Sequence, residues 1–105
     1  MKEITPLELF DILRKKEDVQ VIDIREPYES EICSLGGERI PMDDIFGKLN
    51  LISAEKPVIL YCRNGVRSTA LAGILEKKFH YSNIAVLKGG ILSYIEEVDP
   101  SMTPY

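Results

Sequence analysis

An apolar run that ends in a cysteine constrains this chain more than any other stretch. Residues 58–61 are bulky or β-branched and show no alternation of apolar and polar side chains, which is typical of a strand buried on both faces of a parallel sheet. Cys62 follows at the carboxyl end of that strand. Further along, apolar residues recur at helical spacing, at Leu71, Ile74, Leu75 and Phe79. We therefore predict that residues 62–68 join a strand to a helix, where α/β proteins commonly place ligand sites.

The composition of this loop favours an ionised thiol at Cys62. Arg63 and Arg67 lie in a turn that contains no acidic residue. Inward-turned amides and the positive end of the following helix add to the effect of these cations. Gly65 suits a tight turn that needs positive φ, and Ser68 is predicted to cap the helix with its hydroxyl near the sulfur. The alternative interpretation is that Cys62 is a small buried apolar residue, which is the commonest role of a free cysteine.

Strand and helix patterns alternate along the whole chain. Strands are predicted at Ile4 and over residues 19–24, 38–41, 58–61 and 83–87. We therefore predict the α/β fold class, as a single domain over residues 1–105 with a small parallel sheet flanked by helices on both faces.

The helices between these strands carry recognisable start signals. Thr5 and Glu8 bracket Pro6 and predict a capping box, with an inner face made of Leu9, Phe10, Ile12 and Leu13. Residues 28–33 predict a short helix. Asp43 and Asp44 start a further predicted helix whose inner face would be Ile45, Phe46, Leu49 and Ile52.

Asp23 and Arg25 end the strand over residues 19–24. If that strand neighbours the Cys62 strand, both side chains lie close to the Cys62 loop. A buried Asp23 needs a partner because unpaired charge is costly away from water, so we predict that Asp23 and Arg25 pair and support the loop. The alternative is a pair of ordinary solvated turn residues.

The residues from Cys62 to Ser68 read Cys-Arg-x-Gly-x-Arg-Ser and resemble the active-site loop of rhodanese-type sulfurtransferases. The stretch Asp23 to Pro27 resembles the Asp-x-Arg-Glu-Pro signature of the same family. The resemblance implies that Cys62 carries sulfane sulfur as a persulfide and that Arg63 and Arg67 attract a small anionic donor such as thiosulfate. It implies no cofactor and no metal ion. The amides that would cradle the outer sulfur are those of Arg63, Asn64, Gly65, Val66, Arg67 and Ser68.

The length of the loop distinguishes the rhodanese-type pattern from the patterns of two related classes of enzyme. Related cysteine phosphatases and arsenate reductases place five residues between the cysteine and the arginine, whereas four residues separate Cys62 from Arg67. The shorter loop favours sulfur over a tetrahedral oxyanion, and a phosphatase or arsenate reductase remains the less favoured alternative. His80 is the only histidine and belongs to no triad pattern, which counts against a cysteine protease.

Two further stretches indicate a subgroup. Residues 35–41 read Leu-Gly-Gly-x-x-Ile-Pro, and residues 97–105 are similar to the closing stretch of rhodanese modules found on adenylyltransferases that serve molybdopterin and thiamine synthesis. Residues 31–37 lack the commonest family pattern, Gly-His-Ile-x-Gly-Ala. The resemblance implies that a sulfur-carrier protein or a cysteine desulfurase is a possible partner.

The composition limits which binding partners and which cellular compartment we expect. The net charge of −4 gives no reason to expect a nucleic-acid partner or an anionic membrane surface. No stretch has the length of a signal peptide or a membrane span, and two cysteines do not make a disulfide framework, so we expect a cytoplasmic, reducing location. Cys33 is interpreted as a packing residue. The alternative is that Cys33 resolves a persulfide on Cys62, which needs Cα atoms within roughly 7 Å.

Overall fold

A parallel sheet forms the centre of the computed structural model, which describes residues 2–105. The strands are β1 (Lys2–Ile4), β2 (Gln20–Asp23), β3 (Glu38–Arg39), β4 (Val58–Tyr61) and β5 (Ile84–Leu87). They lie in the order β1-β5-β4-β2-β3. The register pairs Asp23 of β2 with Tyr61 of β4, so these two central strands end level with each other. The residues that follow them therefore meet at one edge of the sheet.

Helices cover both faces of this sheet, as the sequence predicted. One apolar cluster joins the sheet to α3 and the 3₁₀ segments, and it includes Ile45, Leu71 and Leu75. The other cluster joins the sheet to α1 and α4, and it includes Leu9 and Ile91. The predicted single small α/β domain is confirmed. The α-helices are α1 (Pro6–Arg14), α2 (Pro27–Ile32), α3 (Val66–Phe79) and α4 (Gly90–Glu97), and the 3₁₀ helices are Met42–Gly47 and Leu49–Leu51.

The predicted capping box at the start of α1 is present. The Glu8 N–H donates to Thr5 Oγ1 over 3.1 Å, and the Thr5 N–H donates to Glu8 Oε1 over 2.9 Å. Leu9 is buried on the inner face, but the prediction for Phe10 was wrong because its side chain is 39% exposed. The buried stripe of this nine-residue helix is therefore narrower than the sequence indicated.

The predicted helix after Pro41 is two 3₁₀ helices instead. Lys48 has φ −132° and ψ 28°, outside the helical region, so a single α-helix cannot pass through it. Ile45 and Ile52 are buried as predicted, whereas Phe46 is 46% exposed. The Phe46 ring stacks on Phe79 of α3 with the ring centroids 5.8 Å apart.

Within residues 2–105, no helix combines the length and the apolar character that crossing a membrane requires.

Candidate active site

Cys62 stands at the carboxyl end of β4, where hydrogen bonds from α4 fix the start of the loop. The Ile91 N–H donates to the Cys62 carbonyl oxygen over 2.9 Å, and the Leu92 N–H donates to the Arg63 carbonyl oxygen over 3.1 Å. The first turn of α4 therefore uses its free amides to hold the loop that follows β4.

Two glycines make this close approach possible. Gly90, at φ +68°, lies so close to Arg63 that a Cβ atom on it would collide with the Arg63 carbonyl group. Gly65 has φ +95° and is the N-cap of α3. Any residue other than glycine would be strained at both positions, so the shape of the loop depends on these two glycines.

Two amide donors and one hydroxyl group lie around the sulfur of Cys62. The N–H groups of Gly65 and Ser68 donate to Sγ over 3.2 Å and 3.4 Å. The Ser68 hydroxyl oxygen lies 3.4 Å from Sγ and also 3.2 Å from the Gly65 carbonyl oxygen. Its single proton can therefore turn toward a negatively charged sulfur or toward the carbonyl group. Donors arranged in this way stabilise negative charge on a sulfur atom.

One of the six amides in the predicted cradle has a partner other than the sulfur. The Val66 N–H donates to Asn64 Oδ1 over 3.1 Å instead of facing the sulfur. The role predicted for Ser68 as helix cap was wrong. The helix α3 begins at Val66, so Ser68 lies inside its first turn, and Gly65 occupies the N-cap position.

The Cys62 side chain is fully enclosed, as expected from the alternative interpretation of Cys62 as a small buried residue. None of its surface is exposed, and it borders the cluster that contains Leu60 and Leu71. The sulfur is nevertheless held by polar donors on its loop side and not by apolar atoms alone. On the outer side of the loop, Arg63 and Asn64 are exposed, as is Val66.

Arg67 is held in an ion pair that the sequence analysis missed. Its two terminal nitrogens each donate to a carboxylate oxygen of Glu29 over 2.9 Å. The hydrogen bonds from Arg67 lower the pKa of Glu29, although burial opposes this shift. The same hydrogen bonds raise the pKa of Arg67, again against the effect of burial. The signal available in the sequence was an acidic residue on the helix that follows the neighbouring strand β2.

Arg63, the second cation of the loop, lies against an aromatic ring. Its guanidinium carbon is 4.9 Å from the centroid of the Tyr105 ring. The two arginines that the sequence grouped together therefore have different surroundings. Glu29 balances the charge of Arg67, while Arg63 keeps a charge that faces solvent.

The predicted pair of Asp23 and Arg25 is present and fully buried. Arg25 Nε and Nη2 donate to the two Asp23 carboxylate oxygens over 2.9 Å each. Burial acts to raise the pKa of Asp23, but the hydrogen bonds from Arg25 and Ser30 outweigh it, and the pKa is lowered. The interpretation of these residues as solvated turn charges is excluded, since both side chains have 0% exposure.

This buried pair is linked to the residue that precedes Cys62. The Tyr61 hydroxyl lies 3.1 Å from Asp23 Oδ2 and accepts a hydrogen bond from the Leu35 N–H over 3.2 Å. Burial raises the pKa of Tyr61, so its hydroxyl keeps its proton at neutral pH. Tyr61 thus ties the turn at residues 34–37 to the base of the loop that follows β4.

Cys33 belongs to the apolar cluster on the face of the sheet opposite to Cys62. Arg25 Nη1 lies 3.7 Å from its sulfur. This position agrees with packing and gives no support to the alternative in which Cys33 resolves a persulfide. Both cysteines are free thiols.

A cavity of about 480 Å³ opens beside the loop. It borders the outer face of the loop and not the sulfur, since Cys62 is absent from its lining. Within residues 2–105, no three histidine, cysteine or acidic side chains come together in an arrangement that could hold a metal ion. The residues that line the cavity are Glu3, Asn64, Gly65, Val66, Thr69, Ala70, Leu87 and Gly89.

The fold and the loop define an α/β protein with a cysteine at the end of its central strand. A family model for the rhodanese-like domain matches residues 5–97. This chain belongs to the rhodanese-like domain family, as the loop motif predicted.

Relatives of this chain include longer proteins. The chain is 33% identical over 106 residues to the probable adenylyltransferase/sulfurtransferase MoeZ of Mycobacterium tuberculosis, with 97% of this chain and 26% of MoeZ covered. It is 26% identical over 102 residues to the tRNA uridine(34) hydroxylase of Protochlamydia amoebophila, with 89% of this chain and 32% of that protein covered. The chain thus spans about a quarter to a third of these relatives. The predicted similarity to a module of an adenylyltransferase protein is confirmed.

A solved structure shows the same fold over the full chain. The crystal structure of a rhodanese-like domain protein from Staphylococcus aureus has a TM-score of 0.79 and 29% sequence identity, with 100% of this chain and 99% of that chain covered. The parallel sheet and its helices are therefore the family architecture.

Proposed function

We propose that this protein is a sulfurtransferase that carries sulfane sulfur as a persulfide on Cys62. The observation that carries the proposal is the convergence of the Gly65 amide, the Ser68 amide and the Ser68 hydroxyl on the Cys62 sulfur. Family membership and the sulfurtransferase among the relatives support the same reaction class. The proposed donor is thiosulfate or another persulfide, and the acceptor is a thiophilic molecule.

The reaction has two displacement steps that need no cofactor. In the first, the Cys62 thiolate attacks the outer sulfur of thiosulfate, the S–S bond of thiosulfate breaks, and sulfite leaves with the electron pair. Cys62 then carries a persulfide anion. In the second, an acceptor such as cyanide attacks the outer sulfur, forms thiocyanate and returns the Cys62 thiolate.

The loop amides would hold the outer sulfur of this persulfide. The Gly65 and Ser68 amides already reach Sγ, and the amides of Arg63, Asn64 and Arg67 belong to the same turn. Because the Cys62 side chain has no exposed surface, we propose that a donor reaches it when the exposed part of the loop moves outward.

Thiocyanate release from thiosulfate and cyanide tests the proposal. We expect turnover by the unmodified protein and none by Cys62→Ser, while Cys33→Ala retains turnover because Cys33 lies on the other face of the sheet. Mass spectrometry after incubation with thiosulfate alone should show one added sulfur on the peptide that contains Cys62. Full turnover by Cys62→Ser would exclude the mechanism. Hydrolysis of a phenyl phosphate ester without sulfur transfer would instead favour a phosphatase.

A second candidate is a sulfur-delivery module that serves a protein partner in cofactor or thiocarboxylate synthesis. The relative that joins an adenylyltransferase to a sulfurtransferase, and that aligns with 97% of this chain, supports it. We propose a reducing location such as the cytoplasm, because a thiol that carries sulfur must be kept reduced between turnovers. Incubation with a cysteine desulfurase and radiolabelled cysteine should place label on Cys62. A small ubiquitin-like carrier whose C-terminal carboxylate is activated as an acyl-adenylate should then remove the label, with AMP as the leaving group and an added thiol to cleave the acyl disulfide that forms. Labelling by thiosulfate but by no protein donor would count against this candidate.

A further inference from the structure

The side chain of Arg63 is exposed on the loop, yet it packs against another side chain. Its guanidinium group lies over the Tyr105 ring, with the guanidinium carbon 4.9 Å from the ring centroid. Arg67 differs, because both of its terminal nitrogens are occupied by the Glu29 carboxylate. Of the two loop arginines, Arg63 is thus the one whose charge no carboxylate of the described residues neutralises, which leaves it available to an incoming anion.

The ring of Tyr105 is itself held in place by the segment that follows α4. Val98, Met102 and Tyr105 are half-buried against the cluster that contains Tyr61 and Ile91. The edge of the Tyr28 ring also packs against Tyr105, with the centroids 5.8 Å apart and the ring planes at 73°. Tyr105 therefore offers Arg63 an anchored surface.

We propose that Tyr105 is a positioning residue that holds Arg63 beside Cys62 on the exposed side of the loop and so sets the affinity for anionic sulfur donors. The proposal rests on the proposed sulfurtransferase function. A guanidinium group stacked on an aromatic face keeps its N–H donors in the plane of the group, where an anion can accept them. The ring also reduces the side-chain freedom that Arg63 loses when the donor binds.

Steady-state kinetics with thiosulfate separate this role from a structural one. We expect Tyr105→Leu to raise KM for thiosulfate by roughly two- to fivefold, the size of a cation–π contact at an exposed site, with kcat unchanged. Tyr105→Phe keeps the ring and should keep the normal KM. Equal KM values in all three proteins would overturn the proposal, and so would an equal rise in Tyr105→Phe and Tyr105→Leu. Circular dichroism and the melting temperature check that Tyr105→Leu is folded.

A second measurement does not depend on sulfur transfer. We compare alkylation of Cys62 by iodoacetate, an anion, with alkylation by neutral iodoacetamide, and follow the Cys62 peptide by mass spectrometry. The ratio of the two rates should fall by about the same factor in Tyr105→Leu and Arg63→Gln, and the double variant should show no further fall. An unchanged ratio in Tyr105→Leu would overturn the proposal. If the ratio falls but the unmodified protein transfers no sulfur, the proposed function fails and the positioning role of Tyr105 stands.

Discussion

The Ser68 hydroxyl lies 3.4 Å from Cys62 Sγ and has one proton to share between this sulfur and the Gly65 carbonyl group. We expect Ser68→Ala to slow persulfide formation about five- to tenfold, which corresponds to the loss of one hydrogen bond of ordinary net strength, since the hydroxyl proton is shared with the Gly65 carbonyl group. The rate of sulfite release from thiosulfate measures this step. Thr69→Ala removes an exposed hydroxyl from the next residue and should leave the rate within about twofold. A normal rate in Ser68→Ala would mean that the two amides alone stabilise the sulfur.

The pair of Glu29 and Arg67 should make stability depend on pH. The folded-state pKa of Glu29 is below its ordinary value, so the pair stabilises the protein above the unfolded pKa, and this contribution is lost as pH falls through the folded pKa. We expect Glu29→Gln to lower the free energy of unfolding by about 1 kcal/mol at pH 7, a figure reduced because Arg67 is one-third exposed.

Urea unfolding at several pH values measures this difference. The deficit of Glu29→Gln should shrink below about pH 4, where the unfolded carboxyl group takes up its proton. Glu31→Gln, on the same helix and exposed, should stay within about 0.5 kcal/mol of the unmodified protein. A deficit that does not change with pH would show that the Glu29→Gln substitution disturbs packing instead of removing a charge.

The motif allowed the candidate nucleophile and its loop to be predicted, because Cys62 to Ser68 are consecutive in the chain. Glu29 and Tyr105 could not be predicted in the same way, because their partners are distant in sequence and come together through the packing of α2 and of residues 98–105. Whether Cys62 is enclosed was left open as an alternative for a related reason. Burial at a strand end depends on how the loop folds back, and the residue types alone do not determine it.

At the scale of secondary-structure elements, the helix α4 packs closely against the loop after β4 at Gly90. We expect Gly90→Ala to lower the free energy of unfolding by about 2 kcal/mol, because its Cβ meets the Arg63 carbonyl group and its φ is +68°. Gly73→Ala, inside α3 where the added Cβ meets no neighbouring element within 4 Å, should have the opposite sign and stabilise by up to about 1 kcal/mol. Urea midpoints give both values. Similar changes in the free energy of unfolding of the two variants would show that the contact between residue 90 and Arg63 contributes little to stability.

Prediction of the elements succeeded where a local signal existed. The capping box marked the start of α1, and the apolar run marked β4. It failed at residues 42–51, where spacing alone could not show that Lys48 leaves the helical region. The start of α3 was placed too late because Gly65 serves as N-cap without a side chain, and Ser68 offered a more familiar signal.

At the scale of the whole molecule, the order of the strands predicts which parts of the sheet unfold locally and which unfold only with the entire domain. β4 lies between two neighbours in the middle of the sheet, whereas β3 is an edge strand of two residues. We expect the amides of β4 to exchange with solvent only on global unfolding, and those of β3 to exchange by local opening at much higher rates. Hydrogen exchange followed by NMR tests this. Equal protection of β3 and β4 would show that the sheet opens as one unit.

The sheet also separates the two thiols, since Cys62 and Cys33 belong to the clusters on its opposite faces. While the strands stay paired, no bond can form between the two sulfur atoms. Under the proposed function, a sulfur atom loaded on Cys62 would have no second thiol within residues 1–105 to discharge it, and the nucleophile would come from another domain or another molecule. A reductant that repairs oxidised Cys62 would likewise come from beyond these residues.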